Sequence, residues 1–366
     1  MPAAMHNQVT PPPPSIPSGS ASAMAPAPGV SVPNDVIFDI LSRLSVKNVC
    51  RLRCVSRGWD SLICGPEFLA LHKSRSQPLL ISCDDDQRVQ LVDMGGNVLR
   101  ELKTDRFSRV LPSSHGLAFT INVRDGDAKL MDLTTGKVMV FTCPKQAMTR
   151  SAVLICGPSP TTHKVVFLGS KTCGILALQD EDAGWRMAQS PPLHVKQHCS
   201  PVVIDGVLYA LASTGQNTDM VICFDLESEE WNTVIKTPPK VGFQMGWFDK
   251  IGELAGTLCL VQSEMLSIGH GYTHIWSLND SGKSIWGKAY TIPMAFLYKY
   301  IPMPLTVMHD GKLLFYCFCT QTTTTSLKVY DPLDGTCIDA GKTLDQHGGR
   351  FHFCNLDLGA FISAKK

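Results

Sequence analysis

The chain has 366 residues, 44% of them hydrophobic, with 33 basic and 32 acidic side chains and a formal net charge of +1. That length and apolar content support a folded protein, one large domain with room for an accessory module. A balanced charge argues against nucleic acid as a partner, because phosphate binding draws on a concentrated positive field.

Residues 1–31 lie in a stretch rich in Pro, Ser and Ala that contains no Asp, Glu, Lys or Arg. This predicts a disordered, partly polyproline-II tail, with use as a proline-motif ligand left open. The missing arginine argues against an organellar transit peptide, and no basic segment leads into a short apolar run as in a secretory signal. The fourteen cysteines are therefore expected to stay reduced and to act as small buried apolar residues. No apolar run is long enough to span a bilayer, so no membrane partner is expected. No compact basic cluster marks a nuclear address, which leaves cytoplasm and nucleus both open.

Residues 32–63 read VPNDVIFDILSRLSVKNVCRLRCVSRGWDSLI. Apolar residues recur every three or four positions, from Val36, Ile37, Ile40, Leu41 and Leu44 to Val49, Leu52, Val55, Trp59, Leu62 and Ile63. This is a helical period. Pro33 beside Asn34 and Asp35 is a helix entrance. Three short helices are predicted, near 35–43, 46–54 and 56–63. Helices this short are marginal alone and must pack on something. Periodicity leaves open whether that is the chain's own β domain or another protein.

The segment resembles an F-box, the adaptor-binding module of SCF-type ubiquitin ligases. Val32-Pro33 matches the opening apolar-proline pair, Ile40, Leu41 and Leu44 the apolar positions that follow, and Val46 the residue after the turn. RLRCVSRGWDSLI matches the closing run, in a form similar to plant F-box proteins. Val32 departs from the usual leucine. The resemblance implies a three-helix module over 32–75 that binds a Skp-family adaptor, and through it cullin and RING subunits. Pro33, Ile40, Leu41, Leu44, Val46, Leu52, Val55 and Trp59 would serve that docking. Ile40, Leu41 and Leu44 are expected to form the stripe laid in the adaptor groove, and Leu52, Val55 and Trp59 to tie the second helix to the third.

From residue 78 to 366 the chain changes to short β-rich runs separated by Gly, Pro and Asp. A strand ending in a turn-favouring polar residue recurs, as in VQLVDMGG, AKLMDLTTG, VICFDLESEEW and LKVYDPLDG. Anchors at Asp93, Asp132, Gln179, Asp225, Asn279 and Asp331 are 39, 47, 46, 54 and 52 residues apart. A second strand precedes each anchor and, after most, a third follows. Such a unit predicts propeller blades, about six of them, with a pair of packed β-sandwich sheets as the alternative. The repeat resembles kelch blades and, more closely, the F-box-associated domain of plant F-box proteins, to which GELAGTLCLVQS, IWSLNDSGKSIWGK and THKVVFLGS are similar. The fold expected is mainly β with a small α module, a kelch-like β-propeller after the F-box. RFHFCNLDLGAFIS, at the end of the chain, is expected to add a closing strand to the first blade.

No catalytic constellation stands out: there is no G-x-S-x-G elbow, no P-loop and no G-x-G-x-x-G. His270 and His274 lack a third ligand in sequence, and Cys317 with Cys319 reads as two thiols on one strand face, so neither metal nor cofactor is expected. Cys50, Cys54 and Cys64 are expected to pack in the helical module. Expectation therefore turns to binding of a client protein by loops on one face of the ring, near 84–88, 121–128, 169–174, 212–219, 263–273 and 319–326. Arg124, Lys171, Gln216, His270 and Tyr272 are the side chains proposed to meet it. Taken together, the resemblance implies the non-catalytic substrate receptor of a ubiquitin ligase. An F-box scaffold outside a ligase, or a propeller sensing a small molecule or glycan, remains open.

Overall fold

The structure is a computed structural model that describes residues 32–75, 79–83, 88–93, 98–105, 108–111, 117–122, 127–133, 135–142, 151–155, 164–177, 185–197, 199–215, 218–239, 249–267, 270–293, 300–308, 310–319, 325–340 and 351–354. The tail expected over 1–31 lies outside them.

The helical module has four helices rather than three: α1 Asn34–Ser42, α2 Val46–Leu52, α3 Arg57–Ile63 and α4 Pro66–Arg75. Gly65-Pro66 reads as a break in sequence, yet proline fits the first turn of a helix, where its missing N–H has no intrahelical partner to lose. Leu41, Val46, Val49, Ile63 and Phe68 form the module's own core. Phe68 meets Phe38 edge to face with centroids 5.2 Å apart. Ser56 caps α3 by accepting a hydrogen bond from the Trp59 amide at 3.1 Å. His72, buried on α4, donates from Nε2 to the Leu44 carbonyl at 2.9 Å. Arg75 donates to Asp39 Oδ1 at 2.7 Å and Ser42 Oγ at 2.6 Å, fastening α4 to α1.

Beyond the helices the strands fall into six antiparallel sheets among the described residues, referred to as blades 1–6 in chain order. Blade 1 contains Leu79–Cys83, Arg88–Val92 and Val98–Lys103, and blade 2 Ser108–Leu111, Leu117–Asn122, Asp127–Asp132 and Val138–Thr142. Blade 3 has Ser151–Ile155, Lys164–Leu168, Cys173–Ala177 and Arg186–Ala188. In blade 4, His194–Val195 and Val202–Ile204 both pair with Val207–Ser213, followed by Asp219–Asp225 and Trp231–Lys236. Blade 5 comprises Lys250–Leu254, Thr257–Ser267, His270–Asp280 and Ile285–Pro293, and blade 6 Tyr300–Val307, Leu313–Cys319, Thr325–Tyr330 and Cys337–Asp339. Phe351–Cys354 pairs with Leu79–Cys83 and so completes blade 1 from the far end of the chain.

The core lies between sheets. Six apolar clusters join blade 1 to 2, 2 to 3, 3 to 4, 4 to 5, 5 to 6 and 6 back to 1. The last places Leu80 and Val92 against Leu305, Leu314 and Leu327. A sandwich would share one core between two sheets; this cyclic sharing is a β-propeller. Within each blade the last strand is the exposed one, as in Trp231–Lys236 and Val138–Thr142.

The sequence anchors have a physical meaning. Asp132, Asp225 and Asp331 accept hydrogen bonds from backbone N–H groups two or three residues on, at Thr135, at Glu227 and Ser228, and at Leu333. This is the Asx turn that closes the hairpin between the third and last strands. In blade 5 the capping residue is Asp280, which accepts from the Lys283 amide, not Asn279 as the anchor pattern reads. Four residues after the cap the backbone is left-handed, filled by Gly136 (φ 81°) and Gly335 (φ 73°) but by Glu229 (φ 59°) and Ser284 (φ 54°) in blades 4 and 5. A non-glycine residue there costs about 1–2 kcal/mol, so Glu229 must supply something in return.

It supplies a clamp between blades. Its carboxylate takes Lys164 of blade 3 at 2.8 Å together with Arg186, while Lys164 also donates to the Leu226 carbonyl at 3.1 Å. Aromatic latches repeat the device. Trp231 Nε1 donates to the Gln189 carbonyl, Trp286 Nε1 to the Lys236 carbonyl, and Tyr330 Oη to the Thr291 carbonyl, at 2.8, 2.8 and 2.9 Å. Each bond runs from one blade to the chain of the blade before it.

Candidate docking surfaces

On the helical module, core and surface divide differently from the expected stripe. Leu41 is 2% exposed and Val46 8% exposed, both inside the module's own core. Leu44, Leu52 and Trp59 are half-buried around that core. Pro33 is exposed, and its carbonyl accepts from the Val36 and Ile37 amides at the start of α1. Ile40 is 53% exposed, and Val32 and Val36 are 49% and 45% exposed. Val36 and Ile40, four apart on α1, lie along one side of the helix, and Val32 is exposed just before its entrance. Val36 and Ile40 form an apolar stripe open to a partner. Val55, expected to tie α2 to α3, is instead 61% exposed in the turn between them. Cys54, expected to pack, is also exposed. Periodicity finds an apolar arc but does not say which edge of it faces inward.

On the propeller, most of the loops expected to meet a client lie wholly or partly outside the described residues, and the turn at 169–172 and the strands flanking the others are described. Arg124 and Gln216 lie outside the described residues. Lys171 is exposed in the tight turn closed by the Gly169 amide on the Thr172 carbonyl at 2.7 Å. Ser170 beside it sits 3.2 Å from His194 Nδ1 on blade 4. Asp219, also in blade 4, is buried and paired with Lys196 at 2.6 Å.

His270 and Tyr272 are strand residues rather than loop residues. The second and third strands of blade 5 run 11 residues each, so their hairpin carries strand pairing out to Ser267 and His270. Its tip exposes Leu266, His270 and Tyr272. Below the tip, His274 sits between Glu264, whose carboxylate is 3.0 Å from Nε2, and Thr291, whose hydroxyl is 3.1 Å from Nδ1. Tyr272 stacks on the His274 ring, and Trp276 meets it edge-on. Gln262, 2% exposed, pairs directly across from His274. Gln262 Nε2 and Trp276 Nε1 are buried donors without an acceptor among the described residues. Sequence reasoning missed Glu264, which it read within the loop near 263–273, and Gln262 and Trp276 on the flanking strands, which it read only as repeat strands.

Four positions along a strand place His270 and His274 about 13 Å apart, too far to share an ion. Among the described residues no group of three His, Cys, Asp or Glu side chains is placed to hold a metal. Burial pushes the Cys173, Cys223 and Cys259 thiols up to about 12, and Cys317 higher still, which leaves them protonated and inert at neutral pH. No helix among the described residues is long and apolar enough to cross a membrane.

Fold and surfaces together define a two-module protein: a helical unit with exposed apolar residues on α1, and a β-propeller of six sheets among the described residues. Two family profiles match in succession, the F-box domain over residues 31–71 and the F-box associated beta propeller domain over 100–337. The second spans more than half of the chain, which belongs to the F-box proteins that carry an F-box associated β-propeller. Similar curated proteins come from Arabidopsis thaliana. F-box protein At1g53790 is 26% identical over 76% of this chain and 69% of its own length. F-box only protein 12 is 27% identical over 70% of this chain and 62% of its own length. Among solved structures, the nidogen/laminin complex overlaps 75% of this chain and 97% of that one at 10% identity and a TM-score of 0.45, too loose a likeness to carry weight beside the strand pairing itself.

Proposed function

We propose that the protein is the substrate-recognition subunit of an SCF-type ubiquitin ligase, with residues 32–75 as the docking module and 78–366 as the receptor. The observation that carries this reading is the exposed apolar side of α1 at Val36 and Ile40, with Val32 exposed before it, left open by a helical module whose own core is already formed. An apolar helix side laid in a groove is a common mode of partner recognition. The groove belongs to a Skp-family adaptor, which brings the cullin and RING subunits. Lys171, His270 and Tyr272 on the loop face, with Arg124 and Gln216, meet a client protein. The chain supplies proximity and orientation, and covalent chemistry belongs to other subunits. This work takes place in the cytoplasm, the nucleus or both.

The test is a pull-down of tagged full-length chain from a plant lysate beside a Val36→Asp, Ile40→Asp variant. Adaptor and cullin both captured by wild type and both lost with the variant support the reading. Adaptor without cullin makes the protein a scaffold outside a ligase. Capture of neither overturns adaptor docking.

The buried donors Gln262 Nε2 and Trp276 Nε1 favour a second reading, in which the blade 5 hairpin takes a small ligand rich in hydrogen-bond acceptors. Buried donors ordinarily find partners. A thermal-shift screen of neutral sugars and amides tests it; stabilisation lost with Gln262→Leu is the supporting result.

A further inference from the structure

Among the described residues the last strand of every blade is paired on one side only, and edges of this kind are ordinarily blunted by charge or proline. Five of the six follow that rule. Blade 1 carries Arg100, Glu101 and Lys103, blade 3 Arg186, blade 4 Lys236, blade 5 Lys288 and Pro293, and blade 6 Asp339. Blade 2 does not: its edge reads VMVFT, from Val138 to Thr142. Val138, Met139 and Val140 are 45%, 50% and 64% exposed, a run of consecutive large apolar residues that no other described edge strand shows. They pair inward with Met131, Leu130 and Lys129, so the strand is held in register and its outer side is open.

Consecutive strand residues point to opposite faces. A helix or a flat surface docked on one face of blade 2 covers Val138 and Val140 or else Met139, but not all three. A strand laid along the edge flanks all of them and can also pair the main-chain groups on the side away from Asp127–Asp132. A second copy of this chain fits less well, because five residues a side fall far below the roughly 20–30 a side of a stable interface. We infer that the Val138–Thr142 edge takes up an extended, uncharged, β-prone segment of the client as a fifth strand of blade 2. The inference rests on the receptor reading above and adds the mode of recognition: main-chain pairing for affinity, side-chain alternation for selectivity.

The probe is a fluorescent, uncharged heptapeptide of alternating valine and threonine, titrated into full-length protein by anisotropy, with hydrogen exchange read on the same complex. Saturable binding is expected, with added amide protection confined to 138–142. Val140→Lys is expected to weaken it at least tenfold, while Val140→Thr and adaptor capture stay as in wild type. A peptide with proline at its centre is expected not to bind. Equal affinity for wild type and Val140→Lys, or protection elsewhere, overturns the inference. So does concentration-dependent self-association of the wild type that protects 138–142 without peptide, which makes a second copy the occupant. Because adaptor capture is read separately through Ile40, failure here is distinguishable from failure of the receptor reading.

Discussion

Ile40 and Leu41 are neighbours on α1 with opposite fates, and replacing each by aspartate separates docking from folding. Ile40 is 53% exposed, so Ile40→Asp leaves the module folded, at a cost under about 1 kcal/mol from helix propensity and the nearby helix C-terminus. Against an adaptor groove it forfeits burial of the remaining half side chain, about 1 kcal/mol, and sets an unpaired carboxylate on an apolar surface. A total of about 3 kcal/mol weakens adaptor binding roughly a hundredfold. Leu41 is 2% exposed among Val46, Val49, Ile63 and Phe68. Truncation to alanine at such a site costs about 2–5 kcal/mol, and a buried carboxylate adds to it. A unit of this length has roughly 2–7 kcal/mol of stability, so Leu41→Asp unfolds it. The assay is titration calorimetry with a purified Skp-family adaptor, beside circular dichroism of residues 32–75 in the full chain's helical signal. Wild-type affinity in a folded Ile40→Asp protein refutes the stripe as the docking surface.

Three further outcomes follow from the propeller. Burial raises the Glu229 carboxyl, but hydrogen bonds from Arg186 and Lys164 outweigh it and hold the group below its ordinary 4.5. A depressed carboxyl stabilises the fold above the unfolded-state value and loses that stabilisation as pH falls through the folded one. Glu229→Gln is therefore expected to melt below wild type at pH 7, with the gap closing below about pH 4.5; a gap that widens in acid contradicts the clamp. Trp231→Phe and Trp286→Phe each remove one hydrogen bond between blades, about 1 kcal/mol or a few degrees in Tm, and the losses add because the latches are separate; no change in the double variant shows them idle. Ending the chain at Gly349 removes Phe351–Cys354 and bares the Leu79–Cys83 edge, so the shortened protein is expected to sediment as aggregates, whereas a monomer of unchanged Tm denies the closing role.

Much of this architecture was legible in the sequence because its repeat is enforced by turn chemistry. Asp132, Asp225 and Asp331 recur because an Asx turn closes the outer hairpin at each of them. The closing strand was legible because a ring needs its first edge covered. What escaped were features that local pattern does not encode. α4 hid behind Gly65-Pro66, which punctuate a helix start as readily as a loop. The long blade 5 hairpin hid because Ser263, Glu264 and His270 are polar, although strand pairing is a main-chain matter. Ile40 and Leu41 share one apolar arc, and only the packing of Phe68 and Ile63 decides which turns inward. Arg124 and Gln216 remain proposals drawn from loop position alone.

On the proposal above, one chain couples adaptor to client. Its most direct test is ubiquitin-remnant proteomics in plant cells replacing the native chain with wild type, with Val36→Asp and Ile40→Asp together, or with Lys171→Glu and Tyr272→Ala together. The same proteins are expected to lose ubiquitination in both variants and to stay bound only to the first. Disjoint sets, or no change in either variant, contradict it.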